Sequence, residues 1–159
     1  MAIGRTFEEA VQKAVRMLET GAQGVTENHF PKSRQAFLKY LRVATSKRVF
    51  AIAEGLKRGI SVAEIYKMTG IDPWFIYRIK NIVNAEQDIT HAALDTLNRD
   101  TFIRLKQLGF SDKKIAILTA TSELTVRARR LQLGIVPSVF QIDTMAGEVP
   151  ARTNCLYLS

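Results

Sequence analysis

The side chains in this sequence that could act as nucleophiles, general bases or metal ligands are few and far apart. Two histidines, His29 and His91, and one thiol, Cys155, lie in separate stretches of the chain. Zinc sites need such groups in pairs at short spacing, and a nucleophile needs a neighbouring base. The segment from Gly21 to Gly24 lacks the spacing of a phosphate-binding loop and the Lys-Ser/Thr that follows one. The sequence therefore predicts no catalytic residue, no cofactor-binding residue and no metal ligand.

Several carboxylates stand where helix starts or solvated helix faces would place them. They are Glu9, Glu64, Asp72, Asp100 and Asp112. A carboxylate at such a position accepts hydrogen bonds from backbone amides or faces water. General acid–base catalysis instead needs a carboxylate within reach of a substrate proton. We therefore expect these five side chains to have structural roles.

Two adjacent aromatic residues, Trp74 and Phe75, are the candidate interface residues. Tryptophan often anchors protein–protein contacts. Large aromatic side chains at a helix start also close the local core of a helical domain. Both interpretations stay open from the sequence.

A helix-turn-helix module that binds nucleic acid is the main alternative function. The segment 61–79 has a glycine turn at Gly70 between two apolar patterns, and the chain carries a net charge of +8. Against this, Tyr66 takes a place that usually needs a small residue. Trp74 and Phe75 also stand where a recognition helix would present polar groups to base edges. The basic pairs are scattered, at Lys47-Arg48, Lys57-Arg58 and Lys113-Lys114, as is typical of solvated faces.

The composition is that of a folded domain. The 159 residues are 47% hydrophobic and 24% charged, which excludes a wholly disordered chain. One cysteine cannot form an intrachain disulfide. No apolar run approaches the ~20 residues that a membrane span needs, so we expect no membrane association.

Short amphipathic helices dominate the pattern. The predicted capping residues are Thr6 (in a box with Glu9), Ser46, Ser61, Asp72 before Pro73, Ser111 and Ser122. The first helix is expected to bury one face made of Phe7, Ala10, Val11, Ala14, Val15 and Leu18. The helix from Pro73 to about Gln87 is expected to present Phe75, Ile79, Ile82 and Val83 inward.

The middle of the chain and its second half contain two copies of one internal repeat. The pattern that starts at Gly59-Ile-Ser returns at Gly109-Phe-Ser with a constant offset, 109 − 59 = 50. In each copy a glycine ends one helix, a serine caps a short second helix, and Asp72 or Ser122 starts a third. The repeat predicts two similar three-helix units.

The chain changes character after residue 135. Pro137 and Pro150 interrupt it, no helical period remains, and strand character is predicted at 139–142 and 155–158. We expect 143–159 to be poorly ordered in isolation or to pair with a neighbouring copy. The fold class predicted is all-α: an irregular multihelical array of short helices with an extended C-terminal arm.

These residues resemble the large subunit of carbamoyl-phosphate synthase, in the segment that leaves its first synthetase half. The resemblance starts at Met1-Ala-Ile-Gly-Arg-Thr-Phe-Glu-Glu-Ala and covers nearly the whole chain. It continues through Gly59-Ile-Ser, Ile71-Asp-Pro-Trp-Phe, Gly109-Phe-Ser-Asp-Lys-Lys-Ile, Leu133-Gly-Ile and Gln141-Ile-Asp-Thr. The ending is similar to that of eukaryotic-type enzymes whose glutaminase is fused to the synthase.

The resemblance implies a non-catalytic oligomerisation, or connection, domain between two ATP-grasp halves of a glutamine-hydrolysing ligase. It implies a linker helix at 1–20, a helical domain at 21–135 and an arm at 136–159 that leads to the second half. The parent enzyme would use ATP with magnesium or manganese, while this segment would hold no cofactor and be inactive alone. The partners implied are the flanking halves, the glutaminase domain and further copies of the chain. Pyrimidine biosynthesis and a cytoplasmic location are expected, with no nucleic acid.

Overall fold

The computed structural model describes residues 2–27, 29–143, 147–150 and 155–159. The helices within them are α1 (Phe7–Met17), α2 (Arg34–Arg42), α3 (Arg48–Lys57), α4 (Val62–Thr69), α5 (Pro73–Ile89), α6 (Arg99–Gln107), α7 (Asp112–Leu118) and α8 (Glu123–Gln132). A single 3-10 turn (Leu94–Thr96) lies between α5 and α6, and two short strands follow, β1 (Val139–Gln141) and β2 (Leu156–Leu158). The predicted all-α array of short helices is confirmed.

Most of the predicted helix starts are confirmed by their capping hydrogen bonds. Thr6, Ser61, Ser111 and Ser122 each accept a bond from the backbone amide three residues on, and Asp72 accepts one from the Trp74 amide. At Ser61 the full capping box with Glu64 is present.

The capping role predicted for Ser46 is wrong. Helix α3 starts at Arg48, so Lys47 occupies the cap position without a side-chain bond. The Thr45 hydroxyl instead accepts a bond from the Lys47 amide, and the Thr45 carbonyl accepts one from Arg48. A turn built by Thr45 therefore leads into this helix.

The internal repeat is confirmed as two copies of one helical unit. The first copy is α3–α4–α5 and the second is α6–α7–α8, with helix starts that match within one residue at the offset of 50. The first two helices of each copy also end within one residue of each other, whereas α8 is seven residues shorter than α5. Gly59 and Gly109 end the first helix of each copy with φ of +79° and +84°, a conformation that glycine adopts without strain.

One hydrophobic core joins both copies, and α5 runs through it. This helix packs against α1, α3 and α4 and continues to Ile89, two residues beyond its predicted end. Ile79, Ile82 and Val83 are buried as predicted.

The buried face of α1 matches the predicted apolar face only in part. Val15 is buried and Phe7 and Val11 pack against the core, as predicted, but Leu18 is 65% exposed. The other buried side chains of α1 are Glu8, Glu9 and Gln12. The polar side chains are buried because they have partners: Asn81 donates to Glu8 at 2.9 Å, and the Val25 amide donates to the Gln12 side chain at 3.0 Å.

The C-terminal residues fold back as a hairpin. Strands β1 and β2 pair antiparallel, with Val139 opposite Leu158 and Gln141 opposite Leu156. The strand predictions are therefore confirmed within one residue at each end. The expectation that 143–159 is poorly ordered in isolation or pairs with a neighbouring copy stays a prediction, and 144–146 and 151–154 lie outside the described residues.

Candidate interaction surface

Trp74 and Phe75 occupy the first turn of α5, where the sequence forces the chain to start a helix. Pro73 takes the first helical position and Asp72 accepts a hydrogen bond from the Trp74 amide at 2.8 Å. Both rings are directed partly to solvent, with Trp74 48% and Phe75 43% exposed. The prediction that Phe75 points inward is therefore wrong.

The two rings form an aromatic cluster with Phe7 at the start of α1. Ring centroids lie 5.7 Å apart for Phe7 and Trp74, 5.4 Å for Phe7 and Phe75, and 4.9 Å for Trp74 and Phe75, all in edge-to-face geometry. The Arg78 guanidinium lies 4.8 Å from the Trp74 ring centroid. Packed rings of this kind form a firm apolar anchor, half of which remains open to a partner.

The apolar side chains of α1 change from half-buried to exposed towards the end of the helix. Phe7 and Val11 pack against the hydrophobic core, whereas Met17 and Leu18 are 59% and 65% exposed. The aromatic cluster and these two exposed side chains together are called the α1–α5 surface.

A buried ionic network lies away from this surface, at the junction of the two repeat copies. Glu86 on α5 pairs with Lys57 on α3 and with Lys114 on α7, the latter at 3.0 Å, and it accepts a bond from the Thr26 hydroxyl. Lys114 also pairs with Glu27 at 2.8 Å. No sequence signal marked Glu86, since its partners lie up to 60 residues away.

The electrostatics of Glu86 indicate a structural role. Burial raises the pKa of Glu86, but the charge of Lys114 and the hydrogen bonds from Lys57 and Thr26 outweigh it. The pKa therefore lies below the ordinary value of 4.5. A carboxylate held ionised between two ammonium groups is a poor proton acceptor, so its chemistry is that of a structural ion pair.

A second ionic cluster lies within the second repeat copy. Asp112 at the start of α7 pairs with Lys106 on α6 at 2.7 Å and with Arg130 on α8 at 3.1 Å. Burial raises the pKa of Asp112, but bonds and charges from these two cations bring it below 3.8. Asp112 thus ties three helices together.

The other carboxylates predicted to be structural also stand at helix starts. Glu64 completes the capping box at Ser61, and hydrogen bonds from the Ser61 amide and hydroxyl lower its pKa. Asp100 lies in the first turn of α6. Glu9 is buried, against the expectation for a capping side chain, and its side chain binds the Arg5 amide and not that of Thr6.

The segment considered as a helix-turn-helix folds as α4, a turn at Gly70 and α5. The start of α5 presents the aromatic cluster, and Arg78 pairs with Glu8 and lies over Trp74. Nothing in the described part of the chain favours nucleic-acid binding.

The described residues contain no group of three or more metal-ligating side chains. Their helices are too short or too polar for any of them to span a membrane. A cleft of about 560 Å³ lies between the 3-10 turn, the turn after α7 and helix α8, with Leu94, Thr121 and Thr125 among its lining. Neither His91 nor Cys155 lines it.

The sequence was then compared with known proteins. The family model "Carbamoyl-phosphate synthetase large chain, oligomerisation domain" matches residues 1–134. "Multifunctional protein CAD" of Squalus acanthias is 42% identical over 160 residues, which cover 100% of this chain and 7% of that protein. "Carbamoyl-phosphate synthase [ammonia], mitochondrial" of Aquarana catesbeiana is 41% identical over 164 residues, covering 100% of the chain and 11% of that protein.

A plant relative extends the comparison. "Carbamoyl phosphate synthase arginine-specific large chain, chloroplastic" of Oryza sativa subsp. japonica is 41% identical over 165 residues, covering 100% of the chain and 14% of that protein. The chain thus spans a small part of each of these relatives. The match over most of its length shows that it belongs to the oligomerisation-domain family of the carbamoyl-phosphate synthetase large chain.

Proposed function

We propose that this chain is the non-catalytic connection domain of a glutamine-hydrolysing carbamoyl-phosphate synthase. It would link the carboxyphosphate and carbamoyl-phosphate synthetase halves and mediate self-association. The family match over residues 1–134 supports this role, as does the small share of each relative that the chain covers.

The observation that carries self-association is the outward position of the aromatic cluster. Phe7, Trp74 and Phe75 are packed on one another, yet Trp74 and Phe75 keep nearly half of their surface exposed. Burying such rings against a second copy would remove apolar surface from water at about 25 cal/mol per Å². A symmetric pair of copies would bring the same cluster from each chain together.

The resemblance also supports a place for each part of the chain in the parent enzyme. Residues 1–20 would leave the first ATP-grasp half, 21–135 would form the connecting body, and 136–159 would lead to the second half. The parent enzyme would use ATP with magnesium or manganese and would contact the glutaminase domain. The name of the Squalus acanthias relative, a multifunctional protein, favours the pyrimidine pathway and a cytoplasmic location.

The test of self-association is the solution mass of the chain. We expect the Trp74→Ala/Phe75→Ala double variant to sediment as a monomer at concentrations where the unaltered chain forms oligomers. Leu124→Ala is the matched control, because Leu124 is 77% exposed on α8 and lies outside the α1–α5 surface. An unchanged mass in the double variant, with helical circular dichroism intact, would remove this surface from the proposal.

A further inference from the structure

The residues that precede α1 and the β1–β2 hairpin both lie against α1. The Arg5 guanidinium lies 4.8 Å from the ring centroid of Phe140 in β1, and the Lys13 ammonium lies 6.0 Å from that of Tyr157 in β2. Phe140 and Tyr157 are cross-strand partners whose rings lie 5.6 Å apart. Two segments distant in sequence thus share one side of a single helix.

The Lys13 ammonium bridges these segments directly. It donates to the Ile3 carbonyl at 3.1 Å, to Oε1 of Glu9 at 2.6 Å and to the Leu158 carbonyl at 2.6 Å. An ammonium group has three protons to donate. One goes to the segment before α1, one to the helix itself and one to strand β2.

Glu9 binds the same two segments from the acceptor side. Its Oε2 accepts a bond from the Arg5 amide at 2.7 Å and another from the Ser159 hydroxyl at 3.1 Å. Burial raises the pKa of Glu9, but the bonds from Lys13, Arg5 and Ser159, with the charge of Lys13, outweigh it. The carboxylate is therefore ionised, and its bonds are of the stronger, charge-assisted kind.

The hairpin needs such contacts to have a fixed place. Each of its strands has three residues, and an isolated two-stranded hairpin is marginally stable in water. Its position on the helical body must therefore come from contacts that it makes with that body. Lys13 and Glu9 supply these contacts as charged groups, and the Arg5 guanidinium adds a contact with the Phe140 ring.

We propose that Lys13 and Glu9 form a clasp that holds the segment before α1 and the β1–β2 hairpin at a fixed separation. They are positioning residues, since neither would touch a substrate. The consequence for the parent enzyme rests on the proposed function: domains joined through these two segments would be held in a constant relation. Fixed relative position matters where reacting groups must meet in one geometry.

The chain carries its own pair of probes for this clasp. Trp74 is the single tryptophan, and Cys155 is the single cysteine and is exposed just before β2. Energy transfer from Trp74 to a fluorophore on Cys155 reports the place of the hairpin relative to the helical body. Mixing the labelled chain with an excess of unlabelled Trp74→Phe chain, which carries neither donor nor acceptor, confines the signal to transfer within one molecule.

The clasp predicts that Lys13→Met lowers the transfer efficiency and broadens the donor lifetime distribution. Because this change leaves Glu9 buried without its cation, the Glu9→Gln/Lys13→Met double variant is measured as well, and the same loss is expected. Arg58→Met is the matched control, since Arg58, which caps the end of α3, and Glu54 on α3 form another pair at the same spacing, 2.7 Å apart. The control should leave the transfer unchanged.

Unchanged transfer in a folded Lys13→Met or double variant would overturn the clasp. An equal loss in Arg58→Met would also overturn it, because the loss would then reflect general softening. Phe140→Ala acts from the hairpin side and should give a smaller loss in the same direction. The solution mass of the same variants keeps this test separate from self-association, because Lys13 lies outside the α1–α5 surface.

Discussion

The two repeat copies follow the same backbone path but differ in how deeply their third helices are buried. Helix α5 buries seven of its residues. Among the residues of α8, all of which the structure describes, Val126 alone is buried. Leu124 and Leu131 of α8 are largely exposed. One local pattern therefore produces a core helix in one place and a surface helix in another.

The difference follows from neighbours and not from the repeat itself. Helix α5 is surrounded by α1, α3 and α4, whereas α8 packs chiefly on α7. The three-helix unit specifies its own turns and caps, but it does not specify what covers its third helix. Helix α5 is covered by α3 of its own copy and also by α1, which lies outside the repeat.

The same comparison shows apolar contacts exchanged for ionic ones. Leu56 and Val62 of the first copy match Lys106 and Asp112 of the second at the offset of 50. The first pair belongs to the apolar core and its surroundings, while the second pair is an ion pair that Arg130 completes. The second copy depends more on charge because less apolar surface covers it.

The largest expected effect comes from breaking the ionic junction between the copies. Glu86→Gln leaves Lys57 and the buried Lys114 facing a neutral amide. Removing one partner of a buried ion pair typically costs about 3–5 kcal/mol. We expect a loss of that size in the free energy of unfolding by urea. Asp112→Asn is the control in the second copy. It should cost less, because its partner Lys106 is 30% exposed, whereas Lys114 is 3% exposed.

The pH dependence of folding stability provides a second test of the Glu86 ion pairs. Glu86 has a pKa below 4.5 in the folded chain, so its contribution is fully present above about pH 4.5 and is lost as the pH falls through the folded value. Stability should therefore decrease on acidification, since the unfolded chain binds more protons. The slope should be shallower in Glu86→Gln. An identical slope, or equal losses in Glu86→Gln and Asp112→Asn, would contradict the junction.

The next largest effect is expected from shortening two core isoleucines that occupy the same position in the two copies. Ile65 on α4 and Ile115 on α7 occupy the same repeat position, and both are fully buried. Isoleucine-to-alanine changes in cores cost about 2–5 kcal/mol, depending on how well the site collapses. We expect Ile65→Ala near the upper end and Ile115→Ala near the lower end, because the exposed α8 can move inward. Equal unfolding free energies for the two variants would show that the copies pack alike.

The smallest effect concerns the turn between the second and third helices. Gly70 has φ of +69° in the first copy, whereas Ala120 has φ of +52° in the second. An added Cβ at Gly70 would meet nothing within 4 Å, so the cost of Gly70→Ala is conformational. We expect Gly70→Ala to destabilise the chain by about 1 kcal/mol and Ala120→Gly to stabilise it by less than that. Thermal unfolding measures both, and the same sign in the two variants would contradict this reading of the turns.

The sequence by itself determined the local events in this protein. The sequence was enough to predict the all-α class, the spacing of the repeat and the helix caps at Thr6, Ser61 and Asp72. Each of them depends on residues a few positions apart. The resemblance to the carbamoyl-phosphate synthase large subunit rested on contiguous motifs, which are also local.

Only the tertiary structure decided which polar groups are buried. The apolar spacing of α1 predicted the burial of Val15 but not that of Glu8, Glu9 and Gln12, and nothing predicted that Glu86 would lie in the core. The partners that allow this burial are remote: Asn81 is 73 residues from Glu8, and Leu158 is 145 residues from Lys13. A buried charge is tolerated only where such partners converge, and their convergence is a property of the folded chain.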